Sequence, residues 1–159
     1  MSNNRPKKGI HLFLSVANIL LAKYPELEIL IIGTHLEEGK SHPKICSVGR
    51  IPNSELPKYL QIGDFYAFTS LWHEGFGLSL AEAIKCGNIV IASKIGGIPD
   101  VVKDVPSTIL VDFPNMIEEW VKAFERAWEI QPSFNPNPDI LNQVHDLKAW
   151  ESNYLAALQ

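Results

Sequence analysis

Three runs, residues 27–32, 64–70 and 88–93, are apolar almost throughout and set what this chain can become. A strand with one wet face alternates polar and apolar residues. A nearly unbroken apolar run must be covered on both faces, the condition of strands in parallel sheets flanked by helices. Between these runs lie stretches with helical spacing. Residues 9–24 carry Ile10, Phe13, Leu14, Ala17, Leu20, Leu21 and Tyr24 on one stripe and stop at Pro25. Residues 44–48 read as a shorter strand, and 53–61 as a short helix capped by Asn53 or Ser54. Residues 78–86 read as a helix ending at Gly87, 97–103 as a loop and short helix with Pro99 near its start, and 108–111 as a last strand. Asn115 then caps an amphipathic helix with Glu118 at capping-box distance and Met116, Ile117, Trp120, Val121, Phe124, Ala127 and Trp128 on its core stripe. This alternation predicts an α/β fold, a Rossmann-like parallel sheet flanked by helices. The domain is expected over residues 1–131, with 132–159 forming a Pro-rich connector and a C-terminal helix over 139–158.

A chain of 159 residues is large enough for one domain with its own core. The net charge of −4 and the short Lys7-Lys8 pair argue against nucleic acid as a partner. No apolar run reaches the roughly 20 residues of a membrane helix, and the N-terminus lacks a secretory hydrophobic region, so a cytoplasmic location is expected. Cys46 and Cys86 lack metal-ligand spacing and read as buried, reduced thiols. His11, His35, His42 and His145 fall on different elements with no expected common face, and no metal or cofactor is expected.

Function concentrates in the turn after the 64–70 strand. There Glu74, Gly75, Phe76 and Gly77 lead into the helix that carries Glu82, eight positions from Glu74. The first turn of a helix has unpaired N–H groups and the positive end of its dipole, and glycines let an anion approach the backbone closely. A diphosphate suits that place. Carboxylates do not hold phosphate, but each accepts hydrogen bonds from two sugar hydroxyls.

These residues resemble the E-x7-E signature of retaining glycosyltransferases of GT-B fold, family 4. The resemblance extends to Lys8-Gly9 opening a helix, the 27–33 strand, Gly49, the 88–93 strand and the Gly96-Gly97-Ile98-Pro99-Asp100 loop. It implies the C-terminal, donor-binding half of such an enzyme, lacking the first strand of its sheet. By that resemblance Glu82 binds the ribose and Glu74, the catalytic candidate, contacts the sugar. Gly75, Phe76, Gly77 and Leu78 then meet sugar and phosphate, and Lys8 binds the diphosphate. Arg5 stands in for an arginine that the family carries a few positions further upstream. Gly49 and Arg50 lie where the family places the base, and Asp100 stands where glutamate is more common. The implied ligand is a nucleotide diphosphate sugar. The implied partner is an N-terminal acceptor domain, in the same longer chain or on a separate subunit, with any contact to the inner face of a membrane made through that half.

Two other readings compete. A non-catalytic nucleotide-sugar-binding subunit, or a truncated inactive remnant, would keep the pocket and transfer nothing. A dinucleotide-dependent oxidoreductase would use Gly75-Phe76-Gly77 as the start of G-x-G-x-x-G. However, Leu80 occupies the third glycine position, and the motif follows a late strand rather than the first.

Overall fold

A computed structural model describes residues 9–37 and 41–131 of the chain. The connector and helix expected over 132–159, and Arg5 and Lys8, lie outside the described residues. Helices and strands alternate: α1 (Ile10–Lys23), β1 (Ile29–Ile31), β2 (Ile45–Ser47), α2 (Leu56–Leu60), β3 (Phe65–Phe68), α3 (Leu78–Lys85), β4 (Ile89–Ser93), α4 (Ile98–Val101), β5 (Thr108–Val111) and α5 (Ile117–Ile130). The expected α/β architecture, with parallel strands flanked by helices, is what forms.

The strands make two parallel sheets. β1 pairs with β2, Ile29 opposite Ile45, and the order β3-β4-β5 makes the second, with Phe65 opposite Ile89 and Val90 opposite Thr108. Among the described residues no strand joins β1 to β3. In a doubly wound sheet of order 3-2-1-4-5-6 the first strand stands at the centre, and the two sheets correspond to its 3-2 and 4-5-6 portions. β4 is central in its sheet and all five of its residues are buried, which explains why Asn88–Ser93 carries no alternation.

α1 serves both sheets. Val16 and Leu20 pack with Ile89, Ile91, Val111 and Trp120, while Ala17 and Leu21 pack with Ile29, Ile31 and Ile45. α5 covers the same face of the larger sheet through Trp120, Ala123 and Ala127, and its Trp128 ring stacks on Phe65 at 5.7 Å. The opposite face is closed by α3 and α2 around Leu80, Ala83, Ile84, Leu60 and Ile98. Asn88, itself buried, donates from Nδ2 to the Leu60 and Gly63 carbonyls and so pins the end of α2 to the start of β4.

Three local expectations are corrected. The N-cap of α5 is Met116 rather than Asn115, with no side-chain cap hydrogen bond. A Trp120 indole N–H donating to the Pro114 carbonyl at 3.0 Å anchors this end of the helix instead. α2 begins one or two residues later than Ser54 or Asn53 would place it, with Glu55 as N-cap and Pro57 in its first turn, where a missing N–H costs nothing. Cys46 is exposed and Cys86 half-buried, so the two thiols are not both core residues. The cause is register. Leu30 and Cys46 are paired on the face of the small sheet away from α1, and both are exposed.

Two outcomes follow from this packing. Trp120→Ala removes the largest fully buried side chain among the described residues and should lower unfolding free energy by about 3–5 kcal/mol, read from urea denaturation. Iodoacetamide should label Cys46 well before Cys86. Burial, and then the Glu82 carboxylate, push the Cys86 thiol up, leaving less of the reactive thiolate; peptide mapping over a labelling time course reads the order.

Candidate functional site

The turn between β3 and α3 is held from three sides. Ser70, buried where β3 ends, donates its hydroxyl to a Glu74 carboxylate oxygen at 3.0 Å and accepts the Trp72 N–H at 3.4 Å. That hydroxyl fixes the carboxylate of the residue expected to contact sugar. Gly97 N–H donates to the Glu74 carbonyl at 2.9 Å. The loop after β4 lies so close that a Cβ on Gly96 would come within 2.4 Å of the Glu74 carbonyl oxygen, and one on Gly97 within 2.1 Å of the Gly75 carbonyl oxygen. Two glycines are required here because backbone lies on backbone. The third support is α1, whose N-cap Gly9 would place a Cβ 2.0 Å from the Thr69 carbonyl oxygen. The beginning of α1 therefore abuts the last residues of β3, just before Ser70.

Gly77, with φ +71°, is the N-cap of α3, and its carbonyl accepts the N–H groups of Leu80 and Ala81. The first N–H groups of α3 consequently lie beside the turn that carries Glu74. Glu82 is exposed on the second turn of α3. Its charge is felt by Tyr66 on β3, whose phenol is pushed up by burial, pulled back by a hydrogen bond with Ser79, and pushed up further by Glu82. Ser79 and Glu82 on α3 are thus the polar neighbours that the Tyr66 phenol feels. Sequence pattern singles out neither Tyr66 nor Ser79, since Tyr66 reads only as part of an apolar strand. Phe76 is half-buried and Leu78 exposed, and exposed Leu71 and Trp72 border the same turn. His73 is exposed, and exposed Asp100 lies in the first turn of α4.

At the ends of β1 and β2, Gly33 N–H donates to the Gly49 carbonyl at 2.6 Å, Gly49 N–H to the Thr34 carbonyl at 3.1 Å, and Leu36 N–H to the Ser47 hydroxyl at 3.0 Å. Gly49 is buried with φ +64°, and Arg50 beside it is exposed. A concavity of about 250 Å³ opens next to this clasp, between α1 and the β1–β2 connection. It is lined by His11, His35 and His42, which corrects the expectation that these histidines share no face. The β1–β2 connection folds back on the first turns of α1, a proximity that no spacing in the sequence encodes. Neither Glu74 nor Glu82 lines this concavity; Glu74 lies in the turn between β3 and α3, and Glu82 on α3 itself.

The profile of the family described as "Glycosyl transferases group 1" matches residues 1–137. The chain belongs to this glycosyltransferase family. Among curated relatives, a phosphatidylinositol N-acetylglucosaminyltransferase subunit from Arabidopsis thaliana is 26% identical over 154 residues, covering 91% of this chain and 33% of that protein. D-inositol 3-phosphate glycosyltransferase from Segniliparus rotundus is 32% identical over 122 residues, covering 68% of this chain and 27% of that protein. The chain therefore spans about a third of the length of the curated relatives it matches. Among solved structures, Anabaena Alr3699/HepE in complex with UDP and glucose superposes with a TM-score of 0.74 at 20% identity, covering 97% of this chain and 45% of that one. The C-terminal domain of the glycosyl transferase group 1 family protein LpcC from Francisella tularensis superposes with a TM-score of 0.66 at 25% identity, covering 79% of this chain and 71% of that one. The glycosyltransferase fold shared with these structures is of GT-B type.

The glycine clamp on the Glu74 turn gives a direct test. Gly96→Ala should force the Glu74 carbonyl away, because Gly96 combines φ +58° with that close approach. The expected cost is about 2 kcal/mol or more of stability, with shifted backbone resonances at 74–77, read by thermal unfolding and by amide NMR.

Proposed function

We propose that this glycosyltransferase domain is the C-terminal, donor-binding half of a retaining enzyme of family 4 type, transferring a hexose from a nucleotide diphosphate sugar to an acceptor glycan or lipid. The observation that carries the reading is the turn at Glu74, held by Ser70 and the Gly96–Gly97 backbone beside the start of the helix that bears Glu82. The donor-binding domain is assigned to residues 1–131.

In this reading the diphosphate lies against the N-terminus of α3 and the backbone of Gly75, Phe76, Gly77 and Leu78. There the helix dipole and N–H groups oppose the negative charge that grows as the sugar–phosphate bond breaks. Lys8 adds a flexible positive charge, and Arg5 a second one, to the departing diphosphate. Glu82 accepts the ribose hydroxyls. Glu74 accepts sugar hydroxyls at the reacting end, its carboxylate set by the Ser70 hydroxyl so that the sugar is met in one orientation. Gly49 and Arg50 border the base.

The acceptor is held by an N-terminal domain, in the same longer chain or in a separate subunit. The solved neighbours of this fold extend well past the region matched, and one relative is named as a subunit of a transferase. Among the described residues no helix is long and apolar enough to cross a membrane. The full enzyme is placed in the cytoplasm, peripheral to the inner face of a membrane, with that contact made by the acceptor half.

Calorimetric titration with UDP, GDP, ADP and their sugars tests the reading. One nucleotide diphosphate should bind, and Glu82→Ala should weaken it about tenfold or more through loss of a charge-assisted ribose contact. Glu74→Ala should leave the free nucleotide diphosphate nearly unchanged and weaken only the nucleotide sugar. A chain that binds no nucleotide at all overturns the proposal. A chain that binds donor, yet transfers nothing when joined to an acceptor half, is the non-catalytic subunit instead.

A further inference from the structure

Tryptophan is highly buried on average, and two of the three among the described residues follow that rule. Trp120 is fully buried, and Trp128 stacks on Phe65. Trp72 is 55% exposed. Its main chain is fixed all the same. The buried Ser70 hydroxyl accepts the Trp72 N–H at 3.4 Å and donates to the Glu74 carboxylate at 3.0 Å. One oxygen therefore sets both the backbone that carries the indole and the acid two residues further on. Leu71 and Leu78, 36% and 60% exposed, border the same turn.

An exposed indole and a pinned carboxylate on one support suit one class of ligand. A pyranose is amphipathic, with axial C–H groups making one face apolar and hydroxyls forming its rim. The C–H face packs on an indole, whose negative π-surface attracts those slightly positive hydrogens, and the hydroxyls donate to a carboxylate. A bare hydrocarbon chain has no use for Glu74. Leu71, Trp72 and His73 add no fixed positive charge beside that acid, so an anion is not what they select. The donor contacts proposed above run from Glu74 forward through Leu78 to Glu82. Leu71 and Trp72 precede them and take no part in them, which leaves the indole for the second partner of the transfer.

We propose that Trp72 is a stacking platform for a pyranose ring of the acceptor. The inference rests on the donor-binding reading and narrows its acceptor, from a glycan or a lipid to a molecule that presents a pyranose. It also gives this half a contact of its own with the acceptor, beside those made by the acceptor domain. Ser70 is the positioning residue, since its hydroxyl holds the main chain of the platform and the side chain of Glu74 in fixed relation. A surface already held in place loses little entropy when a ring settles on it.

The probes are methyl α- and β-pyranosides of glucose, galactose, mannose and N-acetylglucosamine. They are added to the chain loaded with whichever of UDP, GDP or ADP binds by calorimetry, and in a second arm with the corresponding nucleotide sugar. Saturation-transfer NMR should show one or more glycosides bound through their ring C–H protons, shifted upfield by ring current, in both arms. Sorbitol, which has the hydroxyls but no ring face, should receive little saturation. Cross-peaks from the Trp72 indole protons to the glycoside read the contact in wild type, with no variant needed. Trp72→Ala should weaken the glycoside about tenfold and Trp72→Tyr should restore most of the loss, with amide resonances outside 70–78 unmoved in both. Equal glycoside binding by wild type and Trp72→Ala overturns the platform, as does a nucleotide-loaded chain that binds no glycoside, and both leave the donor site standing. Displacement of the glycoside by the nucleotide sugar but not by the nucleotide also overturns it, since the ring would then lie in the donor's place. If wild type binds no nucleotide, the donor reading and the platform fall together.

Discussion

The contact on which the site depends is backbone against backbone. Gly96 and Gly97 lie on Glu74 and Gly75 with no space for a carbon atom between them, and a Gly97 N–H closes on the Glu74 carbonyl. Because β3 and β4 are paired in register up to Phe68 and Ala92, the two loops leave the sheet side by side and converge on each other. Helix α4, which follows the glycines, buries Ile98 in the same cluster as Leu80 and Phe68. The sheet, the turn and the helix that carries Glu82 are thereby one packed unit. A mobile turn would leave Glu74 free to rotate; here its main chain is clamped and its carboxylate held by a buried hydroxyl.

Much of this was legible because each element is written in a local pattern. The runs around Ile29, Phe65 and Ile89 are apolar because strands of a parallel sheet are covered twice, and the Glu74–Glu82 spacing with its intervening glycines reads directly as turn and helix. Where local pattern misled, a longer-range contact had taken over. Asn115 has the chemistry of a cap, yet the start of α5 is tied down by the Trp120 indole on the Pro114 carbonyl. Cys46 stands in an apolar strand, but on the face of the small sheet away from α1.

The larger omissions were relations between segments far apart in the chain. Nothing about His11, His35 and His42 announces a common cavity, since their convergence depends on how the β1–β2 connection folds back over α1. The His35 ring lies where a Gly49 side chain would be, which joins two residues fourteen positions apart through a positive φ and an absent side chain. Tyr66 was hidden for the opposite reason: an aromatic in a strand reads as core, and only its neighbours Ser79 and Glu82 mark its hydroxyl end as polar surroundings. Family membership established a glycosyltransferase domain, while the geometry of this chain shows how its Glu74 turn is held.

One helix links the two regions. α1 sends Val16 and Leu20 into the core of the larger sheet and Ala17 and Leu21 into that of the smaller, while its N-cap Gly9 abuts Thr69 and its first turn borders the histidine-lined cavity. It works as a shared axle. Because one rod packs on both sheets, the spacing between the ends of β1–β2 and the end of β3 is set by its side chains rather than by the loops.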